Sequence, residues 1–321
     1  MQLTAGAAQA ERFASELTRI WPESTKGGPL LGLAVSGGPD SLALLLIAHA
    51  ALPGRVAAAT VDHGLRPESA AEAAEVARIC ALLDVPHATL AVSVEEGNVQ
   101  AQARDARYAA LAAWMEREGL SALATAHHAD DQAETLVMRL NRASGVSGLA
   151  GVRERGLVPA TRLPLLRPLL GWRRAELAGV IAASGFEAAD DPSNRNPAYD
   201  RVRVRQALAD AAWIDVPAWS QAAAHLADAD AALDWAAARE WAEQVVKEPM
   251  GLVYRPQAPR AVALRVVARI VEQLDGQAAR GQAVARLFDA LVARQPASIG
   301  DLVVRPLPSG WSFMKGPKRR V

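Results

Sequence analysis

The sequence predicts an α/β protein, with a parallel sheet covered by helices and then a smaller, mainly helical domain. Three observations carry that prediction. Short apolar runs alternate with helical patterns from residue 31 to residue 141, the pattern of parallel strands joined by crossover helices. Polar clusters at Ser36–Ser41, Asp62–Gly64 and His127–Asp131 lie just past three of those runs, where ligands bind in such sheets. Beyond Pro217 the strand signals give way to a long Ala-rich helical pattern.

Taken in order, residues 7–22 read as an amphipathic helix, Leu31–Val35 as a strand and Leu42–Ala51 as an apolar helix. Val56–Val61 is a second strand, 69–83 a helix and His87–Val92 a third strand. Val99–Glu118 is a long helix stopped by Gly119, Ala122–Ala126 a fourth strand and Asp130–Asn141 a further helix. Residues 144–167 are rich in Gly, Arg and Pro and read as a long loop with a hairpin near Leu157–Leu165; loops of that length are commonly functional. Trp172–Ser184 is a helix, 190–197 a turn-rich stretch and Arg201–Ala211 another helix. The domain boundary is placed near 217, giving a catalytic domain over 1–217 and a helical domain over 218–321. In the second domain, 219–247 forms a long helix with Leu226, Leu233, Ala237, Trp241 and Val245 on one face. Residues 259–274 and 280–293 are further helices, and Leu302–Val304 with Trp311–Phe313 form a terminal hairpin.

Composition narrows the function. The single cysteine, Cys80, excludes a disulfide framework, a cysteine zinc cluster and an iron–sulfur cluster. No basic-then-apolar leader opens the chain, and runs such as Ser41–Leu52 are too short to span a bilayer; the expected compartment is the cytoplasm, with no membrane partner. The 35 basic and 35 acidic residues cancel. Their distribution is uneven, however: between Arg139 and Arg205, 12 arginines face six acids, a local balance of +6. Such a cluster reads either as a solvated face or as a nucleic-acid surface. Oligomeric state is not set by the sequence, and a homodimer is compatible with it.

Four clusters carry chemistry. In Ser36-Gly37-Gly38-Pro39-Asp40-Ser41 the glycines admit close approach of an anion, the serines offer hydroxyls, and the following helix aims its free N–H groups at the same point. Asp40 stands where a Walker A loop would carry a cation; a carboxylate beside phosphates makes sense when Mg²⁺ lies between them. Asp62, at a strand end before Gly64, either contacts a ribose or adenine pocket or only starts a turn. Arg104 and Arg107, one turn apart before Tyr108, hold a phosphate or a base, or are a charged surface. Asp131 and Glu134 share a helix face and either bind Mg²⁺, orient or deprotonate an amine, or simply favour the helix dipole. His127 and His128 lack a third zinc ligand at convincing spacing.

The Ser36–Ser41 run resembles the PP-loop of the N-type ATP pyrophosphatases, which split ATP between the α- and β-phosphates. The ordered set SGGPDS (36–41), VDHGLR (61–66), GNVQAQARDARY (97–108), AHHADDQAETLVMRLNRASGVSGLAG (126–151), LLRPLLGW (165–172) and DDPSNRNPAYDRVRVR (190–205) is similar to the tRNA(Ile)-lysidine synthetase family. It covers most of residues 30–210. The resemblance implies an adenine-nucleotide α-hydrolase-like PP-loop domain, then a smaller helical domain serving tRNA recognition, in a short form without a further C-terminal domain. It implies ATP and Mg²⁺ as cofactors, and free L-lysine and an isoleucine tRNA with a CAU anticodon as partners. The wobble cytidine would be adenylated on O2 with release of pyrophosphate, then attacked at C2 by the lysine amine with release of AMP. Ser36, Gly37, Gly38, Pro39, Asp40, Ser41, Asp62 and His127 would form the nucleotide site, with Asp40 on the metal. Asp40, Arg107, Asp131 and Glu134 would be catalytic, holding the cytidine and lysine. Arg142, Arg195, Arg201, Arg203 and Arg205 would meet tRNA phosphates. One departure stands out: Ala143 occupies a position where the family commonly has glycine, so a positive φ there would be strained. Among rivals, a PP-loop tRNA thiolase needs catalytic cysteines that Cys80 alone does not supply, and the 126–151 segment argues against an amide synthetase. A non-catalytic tRNA-binding protein of the same fold is opposed by the intact Asp40, Asp131 and Glu134.

Overall fold

Apolar and small residues alternate along short strands to build the first sheet. The computed structural model describes residues 5–25, 30–64, 68–92, 99–189, 196–279 and 281–316. The strands β1 (Leu31–Ala34), β2 (Val56–Asp62), β3 (His87–Ala91) and β4 (Ala122–Ala124) pair in parallel. The loop expected over 144–167 contains the hairpin β5 (Arg155–Leu157) and β6 (Pro164–Leu166). β6 adds to β4 in parallel, β5 ends the sheet antiparallel, and the strand order is β3-β2-β1-β4-β6-β5.

The sheet is buried on both faces, as parallel sheets are. Helices α1 (Ala7–Ile20), α2 (Pro39–Ala51) and α3 (Glu68–Leu82) contribute to one core, and α4 (Val99–Arg117) to the other. Strand β2 shows the alternation directly. Val56 and Ala58 join the first core, and Ala57 and Ala59 pack with Tyr108, Leu111 and Trp114 of α4. In β1, a methyl group on Gly32 would come within 3.0 Å of the Trp114 ring, so the close helix approach requires glycine. Next come α5 (Ala129–Leu140), the single turn α6 (Val146–Leu149), α7 (Arg174–Ser184) and α8 (Asp200–Asp210). α2 lies between α1 and α7, and every residue from Ser41 to Ala48 is buried. Its apolar residues surround the whole helix because it has no solvent face. Burial of Leu42, Leu44, Leu45, Leu46 and Ile47 contributes roughly 1.5–3 kcal/mol each.

The chain divides into two compact units, Met1–Leu226 and Ala227–Val321. The change of composition at Pro217 coincides with the start of α9 (Val216–Gln244). The second unit contains helices α10 (Arg260–Asp275) and α11 (Gly281–Val292). It also holds an antiparallel sheet of β7 (Val245–Glu248), β8 (Gly251–Tyr254), β9 (Ala297–Ile299), β10 (Leu302–Leu307) and β11 (Gly310–Lys315). The order is β7-β8-β11-β10-β9. The expected terminal hairpin is β10–β11; the other three strands were not foreseen, and the helix expected to reach 247 stops at Gln244. Val267 and Ile270 of α10, Leu287 of α11 and Phe313 of β11 form its core with Ala237, Trp241 and Val245 packed against it. Among the described residues no helix is long and apolar enough to cross a membrane.

Candidate active site

Sheet order places the site. β1 has β2 on one side and β4 on the other, so the loops after β1 and β4 leave in different directions and open a crevice at the carboxyl edge. The Ser36–Ser41 loop follows β1, and the His127–Asp131 segment follows β4.

The loop is organised by its own hydroxyls. Ser36 N donates to Ser41 Oγ at 3.1 Å, the two hydroxyl oxygens lie 3.2 Å apart, and Ser41 Oγ donates to the Gly38 carbonyl at 2.9 Å. Gly37 has φ +87°, a conformation that only glycine adopts without strain, and its carbonyl accepts from Ala189 N at 2.9 Å. Gly38 caps α2 in extended conformation and Pro39 opens the helix, a position whose missing N–H costs nothing. The first turn of α2 therefore presents unpaired N–H groups and the positive end of the helix dipole.

At that turn Asp40 faces a buried imidazole. The His128 ring is fully buried, with Nε2 at 3.4 Å from Asp40 Oδ2 and 3.6 Å from Asp131 Oδ2, and Nδ1 at 3.7 Å from Asp130 Oδ2. Burial works against the charge on Asp40, but His128, Arg174 and Arg205 outweigh it and hold the carboxyl below its usual range. Burial likewise opposes the charge on His128, and Asp40 and Asp131 raise its pKa nonetheless. Asp131 also caps α5 by accepting from His128 N at 3.1 Å. Asp130 binds Arg173 at 3.2 Å and the Arg174 backbone N–H at 2.8 Å, tying the start of α5 to α7.

Glu134, one turn along α5 from Asp131, has the opposite surroundings. Its side chain is 2% exposed and enclosed by three guanidinium groups: Arg174 at 3.2 Å, Arg201 at 3.0 Å and Arg205 at 2.7 Å. Arg201 and Arg205 lie one turn apart on α8, so the carboxylate fastens that helix to α5. Beside it opens a cavity of about 1130 Å³ lined by Arg104, Arg139, Arg142, Arg153, Arg167, Arg201 and Arg205, with Asp200 the one acid among its described lining residues.

The remaining expected residues fall as follows. His127 lines this cavity and shares a 2.9 Å contact with Thr125 Oγ1; burial, reinforced by Arg167, Arg201 and Arg104 and opposed by Asp131, pushes its pKa down to about 4. Arg107 stacks near Tyr108, and burial lowers its pKa. Asp62 makes the turn: its Oδ1 accepts from Ser69 Oγ at 2.6 Å and Gly64 N at 2.9 Å, which keeps its carboxyl low. Arg142, Arg201 and Arg205 reach the cavity. Arg203 turns away, donating to the carbonyls of Pro197 and Ala198 and pairing with Asp200. Arg195 lies outside the described residues, as do 65–66, 97–98 and 190–194 of the quoted segments. Sequence reasoning missed two organisers, His128 and Arg174. The only available signal was their position beside His127 and Arg173.

Among the described residues no set of three or more His, Cys, Asp or Glu side chains could hold a metal ion. A closed protein cage is therefore absent from that set. Mg²⁺ does not demand one, since it commonly takes one or two carboxylates and completes its shell with phosphates and water. Asp40, part-exposed at the loop, fits that requirement.

The family described as a PP-loop domain matches residues 9–212. A tRNA(Ile)-lysidine synthase of Novosphingobium aromaticivorans is 47% identical over 292 residues, covering 90% of this chain and 89% of that protein. Another, from Zymomonas mobilis, is 41% identical over 315 residues, covering 94% and 95%. The chain belongs to the tRNA(Ile)-lysidine synthase family. In this lysidine synthase family member the two acids Asp131 and Glu134 have unlike partners. Among solved structures, the U34-tRNA thiolase NcsA of Methanococcus maripaludis superposes with a TM-score of 0.55 at 14% identity, covering 68% of this chain and 78% of that one. That likeness speaks to the fold alone.

Proposed function

We infer that the protein joins free L-lysine to C2 of the wobble cytidine of an isoleucine tRNA with a CAU anticodon, consuming ATP and forming lysidine. The observation that carries this reading is a phosphate-cradling loop beside a cluster of acids, with Arg205, whose charge acts on Asp40, lining an arginine-rich cavity, in a chain of this family. The loop backbone, Ser36, Ser41 and the N-terminus of α2 hold the ATP phosphates, with Asp62 and His127 bordering the nucleotide. Mg²⁺, held by Asp40, would offset charge developing between the α- and β-phosphates. The cytidine O2 forms a bond to the α-phosphorus and pyrophosphate leaves. The lysine Nζ then attacks C2, the C2–O2 bond breaks and AMP departs.

Lysine's amine is protonated in water, with a reference pKa of ~10.4, so attack needs a base. Glu134 has its oxygens occupied by three guanidinium groups and Asp40 serves the metal. Asp131 is thereby the acid that takes the proton, while Glu134 positions Arg201 and Arg205 to meet the RNA backbone. Arg107 supports the base pocket, and Arg142 and Arg195 extend the phosphate contacts. Residues 218–321 form the tRNA-recognition part of a two-domain enzyme, 1–217 the catalytic part, working in the cytoplasm. Incorporation of radiolabelled lysine into a CAU-anticodon isoleucine tRNA transcript tests the reading. ATP-dependent label that resists mild alkali supports it; no label, with pyrophosphate still released, points to another acceptor.

A further inference from the structure

Seven arginines line the cavity, and a single aromatic side chain stands among its described lining residues. Tyr199 is the only Phe, Tyr or Trp among its described lining residues. The side chain is 42% exposed, and neither its ring nor its hydroxyl has a hydrogen bond or ring contact among the described residues. Its backbone, by contrast, is firmly held. Tyr199 N donates to the Asn196 carbonyl at 3.2 Å, and Tyr199 O accepts from Val202 N at 3.1 Å and Arg203 N at 3.3 Å. Arg203 braces the carbonyls of Pro197 and Ala198, and Arg142 pairs with Asp200 at 3.2 Å. A fixed backbone thus presents an exposed aromatic residue at an arginine-lined cavity. Aromatic faces stack on nucleobases, each worth about 1–3 kcal/mol, and arginines alone would hold the backbone without ordering the bases.

We propose that Tyr199 is a stacking platform for a base of the anticodon loop near the target cytidine, and so positions the cytidine for reaction. This rests on the lysidine-forming reading above. Tyr199 caps α8, and Arg205, which binds Glu134 near the acids, is six residues further along. At about 1.5 Å per residue the two stand roughly 9 Å apart along the helix axis. At ~3.4 Å per base step that is between two and three steps, so the base met by Tyr199 is not the reacting one but another in the same loop.

The test compares wild type, Tyr199→Ala and Tyr199→Phe by steady-state lysine incorporation, with KM measured separately for tRNA, ATP and lysine. A second readout uses anticodon stem-loops carrying 2-aminopurine at each loop position other than the cytidine. Tyr199→Ala is expected to raise the tRNA KM about 5- to 100-fold while leaving the KM for ATP and lysine and the thermal melting curve unchanged. Tyr199→Phe is expected to restore the tRNA KM, and one 2-aminopurine position should be quenched by wild type and Tyr199→Phe but not by Tyr199→Ala. An unchanged tRNA KM in Tyr199→Ala, a parallel rise in all three KM values, or a Tyr199→Phe variant as weak as Tyr199→Ala overturns the proposal. Failure of wild type to incorporate lysine at all would strike the parent reading instead, and quenching of the stem-loop probes would still report on Tyr199.

Discussion

Asp131 and Glu134 lie one turn apart on α5, yet their surroundings are opposite. Asp131 sits with Asp40 and Asp130 around one buried imidazole, whereas Glu134 is closed in by Arg174, Arg201 and Arg205. The same spacing that suggests a pair of equivalent catalytic acids therefore yields two different devices. Acids sharing a single cation keep lone pairs free for a metal, an amine or a proton. An acid facing three cations has none to spare, and instead fixes where those cations point. Two carboxylates on one helix face are thus assigned their work by what the neighbouring helices bring.

The sharpest way to break the comparison is to remove Glu134. Deleting one partner of a buried ion pair costs about 3–5 kcal/mol, so Glu134→Ala is expected to lower the denaturant midpoint severely. A mild loss would mean that the three arginines do not depend on it. Asp131→Asn is expected to do the reverse: near-native unfolding, but a fall in kcat on the order of 10²–10³. Removal of Mg²⁺ by a chelator should stop turnover in wild type, and titration of the metal into Asp40→Asn should require higher concentrations. A normal metal requirement in that variant would take Asp40 off the metal.

Between the acid cluster and the cavity stands His127, held to a pKa of about 4 by burial and by the facing arginines. The unfolded chain takes up a proton near pH 6.5, the reference value, which the folded chain refuses until about pH 4. Stability linked to this ring is full above the higher value and falls as pH drops towards the lower one, by up to about 1.4 kcal/mol per pH unit. His127→Asn is expected to flatten that slope in urea titrations run across the interval. On the cationic side, Arg139→Ala or Arg142→Ala should weaken tRNA binding and reduce the salt slope by about one unit each, measured by filter binding over a salt series.

The smallest expected effect concerns the turn after α5. Ser144 N donates to the Arg139 carbonyl at 3.0 Å and Ala143 N to that of Leu140 at 2.9 Å, with Ala143 at φ +50°. This is a Schellman ending with alanine where glycine is usual. Relief of ~1–2 kcal/mol of left-handed strain is offset by ~0.4–1 kcal/mol of added unfolded-state entropy. Ala143→Gly is therefore expected to raise stability by roughly 0.5–1 kcal/mol, read from the melting temperature.

Much of this was legible in advance, because local signals and tertiary demands coincide. The Gly-Gly turn, the all-apolar helix after it and the arginine-rich stretch each have a chemistry readable within a few residues. The strands β7 and β9 did not announce themselves: Val245–Glu248 continues the helical pattern of α9, and only pairing with β8 makes it extended. Two polar residues, Asp230 and Glu240, are buried on α9. Arg265 neutralises the first, and Tyr254, Gln257 N and Ala258 N bind the second. The arginines around Glu134 were hidden for the same reason, since Arg174 and Arg205 arrive from 40 and 71 residues away.

The burial of Ser41–Ala48 in α2 bears on the order in which the chain comes apart. Amide protons of a helix with no solvent face exchange only when the whole unit opens, so hydrogen exchange at Leu42–Ala48 should be among the slowest in the protein. Mild heat or denaturant would then loosen the rim of the cavity while the nucleotide cradle kept its shape. On the function proposed above, partially melted enzyme would go on gripping ATP after losing its hold on the RNA.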